Sequence, residues 1–163
     1  MMTTIRPVTN ADHQAVLDIV APVFAAGETY ALDRDMSLQQ VADFWFMPRH
    51  QVFVATEADR LTGSFYLMAN QGGGGAHVAN CGFVTAADSQ GKGVARAMCE
   101  YAMKEATRQG FRAMQFNHVV STNDRAVRLW KSLGFEIVGT LPQAFNHPRL
   151  GFVDSYVMFR KLL

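Results

Sequence analysis

Three consecutive stretches constrain this chain more than anything else in it. His77–Thr85 reads as a strand, Gly91–Gln109 as a helix and Phe111–Asn117 as a strand. The middle stretch carries Val94, Met98, Tyr101 and Ala102 on one helical face, whereas its neighbours are short and rich in strand formers. A strand–helix–strand connection within one sheet crosses over with a fixed hand and leaves its two strands parallel. A helical bundle and a purely antiparallel barrel are therefore both excluded.

The flanking segments extend that unit into a mixed sheet. Gln51–Thr56 and Ser64–Asn70 read as strands joined by a polar turn ending at Gly63, and Gly72 to Gly75 form a turn before the next strand. Upstream, Thr4–Val8 is a short strand. Thr9 is an N-cap candidate for a helix with Val16, Ile19, Val20, Val23 and Phe24 at helical spacing, which Pro22 is expected to bend. Ser37-Leu38-Gln39-Gln40 has the capping-box form, followed by Val41, Ala42 and Trp45 before Pro48. Downstream, Ser121–Leu133 aligns Ala126, Leu129, Trp130 and Leu133, and Gly134 stands where a helix-ending glycine belongs. Phe135–Gly139 and Phe152–Arg160 complete the set. The expected order is β-α-α-β-β-β-α-β-α-β-β. That is an α/β (α+β) fold with six to seven strands and four helices, in a single domain over residues 1–163.

Composition narrows the function. With 15 Lys and Arg against 14 Asp and Glu, the net charge is +1, too small a field to gather nucleic acid or bind an anionic membrane. The two cysteines, Cys81 and Cys99, make neither a disulfide framework nor a C-x-x-C metal or redox site. No stretch approaches the roughly 20 apolar residues of a membrane span. A cytoplasmic protein with reduced thiols and no metal is the expectation.

Ligands on such sheets bind beyond the carboxyl ends of parallel strands. At one of those ends lies Gln90-Gly91-Lys92-Gly93-Val94-Ala95. Its glycines permit unusual backbone angles and close approach, and the helix start beyond presents free N–H groups and a partial positive charge. That is either a plain helix-start turn or a cradle for phosphate. A Walker A loop would need a hydroxyl residue after Lys92, where Gly93 stands. A dinucleotide fingerprint would need glycine where Arg96 stands.

Gln90, Gly93 and Ala95 fit a third pattern, Q/R-x-x-G-x-G/A. A second block, Asn123 to Phe135, resembles N-x-x-A-x-x-L-Y-x-x-x-G-F one strand and one helix later. On these two blocks the chain resembles the GNAT superfamily of acyl-CoA-dependent N-acyltransferases, over essentially its whole length. Glu28 to Asp33 and Leu141 to Pro148 look like members acting on small amino acids, the phosphinothricin and azetidine-carboxylate types. The resemblance implies acetyl-CoA as co-substrate, with Val84, Thr85, Gln90, Gly91, Lys92, Gly93, Val94, Ala95, Asn123, Ala126 and Trp130 around it. It also implies a Val84 backbone N–H that polarises the thioester carbonyl, and direct attack by an amine in a ternary complex. A homodimer is common in that family. Trp130 departs from the pattern, because many members carry there a tyrosine that protonates the leaving thiolate, and an indole is no useful acid near neutral pH. It is expected to pack instead.

For the acceptor, Tyr30, Asn80, Asn117 and Asn146 are the candidate contacts, with Asn117 orienting the amine. Asn117 shares a face with Ala113 and Gln115, whereas His118 is expected on the apolar face with Met114 and Phe116. A histidine can serve as a base, but on that face it reads as structural. Cys81 and Cys99 read as packing, and His77 as a hydrogen-bonding strand start. His147 and Arg149, in an expected loop, are either carboxylate ligands or solvated residues. The favoured reading is transfer of acetyl to a small, amino-acid-like amine. Protein N-terminal or lysine acetylation and a non-catalytic acyl-CoA-binding module are the alternatives.

Overall fold

The computed structural model describes residues 2–163. Seven strands form one sheet in the order β1-β2-β3-β4-β5-β7-β6. They are β1 (Thr4–Pro7), β2 (Gln51–Glu57), β3 (Arg60–Ala69), β4 (Val78–Thr85), β5 (Ala113–Val120), β6 (Glu136–His147) and β7 (Gly151–Lys161). The helices are α1 (His13–Ala26), α2 (Leu38–Trp45), α3 (Val94–Arg108) and α4 (Asp124–Ser132). All pairings are antiparallel except β4 with β5, the crossover through α3.

Helices cover both faces because the strands alternate two apolar sets. Phe53, Phe65, Leu67, Ala79, Cys81, Met114 and Phe116 pack with residues of α3 and α4, such as Met98, Cys99 and Trp130. Val52, Val54, Tyr66 and Val84 pack against Val16, Val20 and Phe24 of α1 and Val41 and Trp45 of α2. Burial of these side chains is the main stabilising term. Local codes set the helix ends. Ser37 Oγ accepts from Gln40 N–H at 3.1 Å while Gln40 Oε1 accepts from Ser37 N–H at 2.8 Å, the reciprocal cap expected for α2. Among the described residues, no helix is long and apolar enough to cross a membrane.

Several boundaries differ from the sequence expectation, for tertiary reasons. The β2–β3 turn is Ala58-Asp59, at φ 48° and 64°, a two-residue hairpin whose twist suits the strands it joins. Gly63 is therefore inside β3, where an added Cβ would lie 2.9 Å from Met98 Cε. Helix α3 begins at Val94 rather than Gly91. Strand β5 continues to Val120, held by pairing with β7, so Asn117 and His118 lie inside a strand and not at its end. The expected loop from Gln143 to Arg149 is mostly β6, which pairs with β7 as far as His147–Gly151.

Candidate active site

The parallel pair opens the site. β4 and β5 are in register only at Val78–Ala113 and Ala79–Met114. Beyond that point a cleft of about 760 Å³ runs between them, walled by Cys81 to Thr85 on one side and Phe116 to Val120 on the other.

At one end stands the N-terminus of α3. Its N-cap is Gly93, at φ 83°, with no side chain to satisfy the helix. Ala97 is the first residue to bond back, to Gly93 O at 3.0 Å. The amides of Val94, Ala95 and Arg96 therefore have no intrahelical acceptor. Two other N-termini are closed by side chains: Ser37 caps α2, and Asn123 Oδ1 accepts from Ala126 N–H at 3.4 Å to cap α4. A Cβ built on Gly91 or Gly93 meets nothing within 4 Å, so the space beside the loop is open to a ligand. Gln90, Gly91, Gly93, Val94 and Ala95 line the cleft, whereas Lys92 is exposed at its rim. Two guanidinium side chains that the sequence reading did not single out, Arg96 and Arg125, also line it. The uncapped amides, the helix dipole and two arginines make this end suited to a polyphosphate.

The middle of the cleft is aromatic. Trp130, 8% exposed, stands with its ring centroid 5.2 Å from Phe83 and 5.0 Å from Phe116. It packs, as expected, and extends an apolar wall that also includes Ala126 and Leu129.

Backbone register decides which amides face the gap. Asn70 N–H donates to Val78 O and Ala86 N–H to Thr62 O. Bonded pairs alternate along an antiparallel ladder, so Asn80, Gly82 and Val84 direct their backbone groups to β3. Cys81, Phe83 and Thr85 direct theirs toward β5. The Val84 N–H expected to polarise the acyl carbonyl is thus committed to the sheet, and the amides of Phe83 and Thr85 face the cleft instead. Val84 contributes its side chain, buried against α1 and α2. Cys81 N–H donates to Asn80 Oδ1 at 2.8 Å, and Phe83 O accepts the Tyr30 hydroxyl at 3.0 Å. Tyr30 therefore supports β4 from the α1–α2 segment, and burial pushes its phenol well above the ordinary range.

On the α1–α2 side the cleft is walled by Val23, Tyr30, Tyr66, Asn80, Asn117 and His118. Tyr66 lies over Gly82 so closely that a Cβ there would stand 2.3 Å from its ring, and its phenol is pushed up to about 12 by burial. Asn117 is exposed; its Nδ2 donates to Asn70 at 2.6 Å and its Oδ1 accepts from Gln115 at 2.9 Å. His118 departs from its expected place. The β5–β7 register slips between Phe116 and Val119, so two residues stand where strict alternation allows one. Phe116 and Val119 both stay in the core, and His118 is turned onto Phe145 of β6, 6.0 Å between centroids.

The β6–β7 hairpin brings in less than expected. Phe145 and His147 are buried, and Asn146 between them is exposed on the opposite side of the strand, outside the cleft wall. His147 Nδ1 accepts the amides of Arg149 and Leu150, both at 3.2 Å, which makes it a turn residue. Arg149 Nε pairs with Glu28 at 3.1 Å and ties the hairpin tip to the α1–α2 segment. Cys81 and Cys99 are buried with thiols pushed up by burial, Cys99 to about 12, as packing residues would be. Among the described residues, no group of three or more His, Cys, Asp or Glu is placed to hold a metal ion.

The sequence pattern of the acetyltransferase (GNAT) family matches residues 14–135, three-quarters of the chain. The chain belongs to the GNAT acetyltransferase family. It is 43% identical to a GCN5-related N-acetyltransferase from Kribbella flavida, whose structure superposes with a TM-score of 0.93 over 98% of this chain and 97% of that one. It is 29% identical to the N-acetyltransferase aca1 of Schizosaccharomyces pombe over 148 residues, 80% of this chain and 71% of the relative. An acetyltransferase structure from Salmonella typhimurium with its cofactor acetyl-CoA shares the fold, at 24% identity and a TM-score of 0.86, over 100% of this chain and 95% of that one. As a GNAT N-acetyltransferase, the protein is an enzyme whose reaction joins an acetyl donor and an amine.

Proposed function

We propose that this GNAT enzyme transfers an acetyl group from acetyl-CoA to a small-molecule amine, by direct attack in a ternary complex. The observation that carries the donor half is the uncapped N-terminus of α3 opening into the cleft. The coenzyme's pyrophosphate lies on the amides of Val94, Ala95 and Arg96, with Gln90 and Arg125 beside it. Its pantetheine arm follows the free backbone edge of β4, past Ala126, Leu129 and Trp130. The amide of Phe83 or Thr85 polarises the thioester carbonyl. Holding donor and acceptor in line supplies most of the acceleration, as much as about 7–11 kcal/mol.

The acceptor half rests on enclosure. The Glu28–Arg149 contact brings the β6–β7 hairpin tip against the α1–α2 segment, and Phe145 backs His118 in the wall. Such an end suits a small amine better than a polypeptide. An amino-acid-like acceptor has fewer ligands here than the sequence suggested, because Arg149 is paired, His147 serves its turn and Asn146 faces away. Asn80, Asn117 and the Tyr66 hydroxyl remain to hold a carboxylate.

A panel of amino acids, small amines and short peptides with acetyl-CoA, read by thiol release, tests the reading. Small amines are expected to react. With an amino acid as substrate, the methyl ester should lower kcat/KM about tenfold or more, the scale of a lost charge-assisted hydrogen bond. An ester that reacts as well as the acid removes the amino-acid refinement. Acetylation of peptides alone overturns the small-amine reading in favour of a protein acceptor.

A further inference from the structure

The cleft contains an uneven set of ionisable groups. Tyr30, Tyr66, Cys81, Arg96, Arg125 and His118 line it, and no Asp or Glu does among the described residues. An amine at neutral pH arrives mostly as ammonium and must lose a proton before its nitrogen can attack. Arginine cannot take that proton. Cys81, Tyr30 and Tyr66 are buried as neutral acids, and Tyr30 already donates to Phe83 O. Only an imidazole among these side chains ordinarily exchanges protons near neutrality.

His118 also differs from the histidines with structural duties. His50 Nδ1 bonds to Trp45 O at 3.0 Å, and His147 Nδ1 accepts two amides. His118 Nδ1 is buried with no partner, on a ring that lines the cleft. A buried polar atom left without a partner is costly and calls for an explanation; the other one among the described residues, Ser155 Oγ of β7, does not line the cleft. The strand bulge between Phe116 and Val119 places it there, and bulges beside active sites commonly re-aim side chains.

We infer that His118 is the proton acceptor for the incoming ammonium; this deepens, and rests on, the small-amine reading. The imidazole takes one proton, directly or through one water, and frees the nitrogen lone pair. The lone pair forms the C–N bond at the thioester carbon while the carbonyl π pair moves to oxygen. Collapse restores C=O and breaks C–S, with the electron pair leaving on sulfur. The second nitrogen proton passes to the thiolate through water, since Trp130 is no acid, and imidazolium returns the first proton to solvent. Ammonium and acetyl thioester thus give amide, thiol and one proton. The other groups that titrate or carry charge along the cleft are Tyr66 from β3, Cys81 from β4, Tyr30 from the α1–α2 segment, and Arg96 and Arg125 at the helix starts. On the β6–β7 side stand Tyr156, in register with Val119, His147, engaged in its turn, and Asp154, whose Oδ1 accepts Gln143 N–H at 2.9 Å.

The test compares wild type with His118→Asn and with His118→Phe, which keeps a ring against Phe145. Calorimetric titration with CoA establishes that each variant folds and retains its donor site. With the best amine from the panel, both variants are expected to lose about 10²–10⁴-fold in kcat/KM. Wild-type kcat/KM is expected to rise with pH through the neutral range, and both variants should lose that rise. A weakly basic acceptor such as a hydrazide, already neutral at that pH, should restore most of the rate. If either variant binds CoA and retains kcat/KM within threefold, or if its loss is the same for hydrazide and amine, the assignment is wrong. If wild type releases thiol with peptides but with no small amine, or with no acceptor at all, the reading beneath fails, and the assignment with it.

Discussion

Replacing Gly93 by valine perturbs donor binding and folding by separable amounts. Gly93 has φ 83° and is followed by three amides with no intrahelical acceptor. A Cβ there meets no atom within 4 Å, so the folded chain suffers no clash. The folding penalty is conformational, about 1–2 kcal/mol for an L-residue held left-handed. In a domain of this size, ~1 kcal/mol moves Tm by about 2–4 °C, so a loss of roughly 2–8 °C is expected. Binding should suffer more. Either the isopropyl group projects into the space beside the loop, or φ turns negative and the first turn of α3 swings away. Both outcomes remove hydrogen bonds from helix amides to a charged phosphate, each contributing about 1.5–3 kcal/mol. Losing one or two weakens binding by about tenfold to about ten-thousandfold. Calorimetric titration with CoA, beside a thermal melt, reads both quantities. A folded variant whose Kd stays within threefold of wild type would refute the placement of the pyrophosphate on this turn.

Two further outcomes follow from packing and from charge. Trp130→Phe should keep kcat within about threefold, because the ring serves as wall, while Trp130→Ala should raise KM for acetyl-CoA through lost packing. Steady-state kinetics decide it, and a collapse of kcat in the Phe variant with unchanged KM would give the indole N–H a chemical role. Near the N-terminus, the Arg6 guanidinium beside Asp12 holds that carboxyl well below the usual carboxylate range, with Thr9 amide and hydroxyl as further donors. A carboxyl depressed on folding stabilises the protein above its unfolded pKa of about 3.9 and loses that contribution as pH falls below it. Urea unfolding between pH 7 and pH 3 should therefore show a steeper acid loss for wild type than for Asp12→Asn, and parallel curves would contradict the linkage.

What the chain determined by itself lies in codes that act over a few residues. The reciprocal cap at Ser37 and Gln40, the helix-ending Gly134 at φ 90°, the glycine turn before α3 and the apolar faces of the helices all need only neighbours within about a turn. The two spaced blocks at Gln90–Ala95 and Asn123–Phe135 were legible for the same reason, and they carried the family and the proposal for the donor site. The acceptor side was not legible, because each of its features depends on pairing between distant segments. Whether Val84 or Phe83 offers its amide to the cleft is a matter of ladder parity, and parity is set by β3, some 20 positions away. Asn146 turned outward because β7 draws the expected loop into β6, and a strand alternates its sides. His118 reached the cleft only because β5 slips by one residue against β7. A one-residue slip leaves no mark in hydrophobic periodicity, yet it decides which side chain lines the cleft.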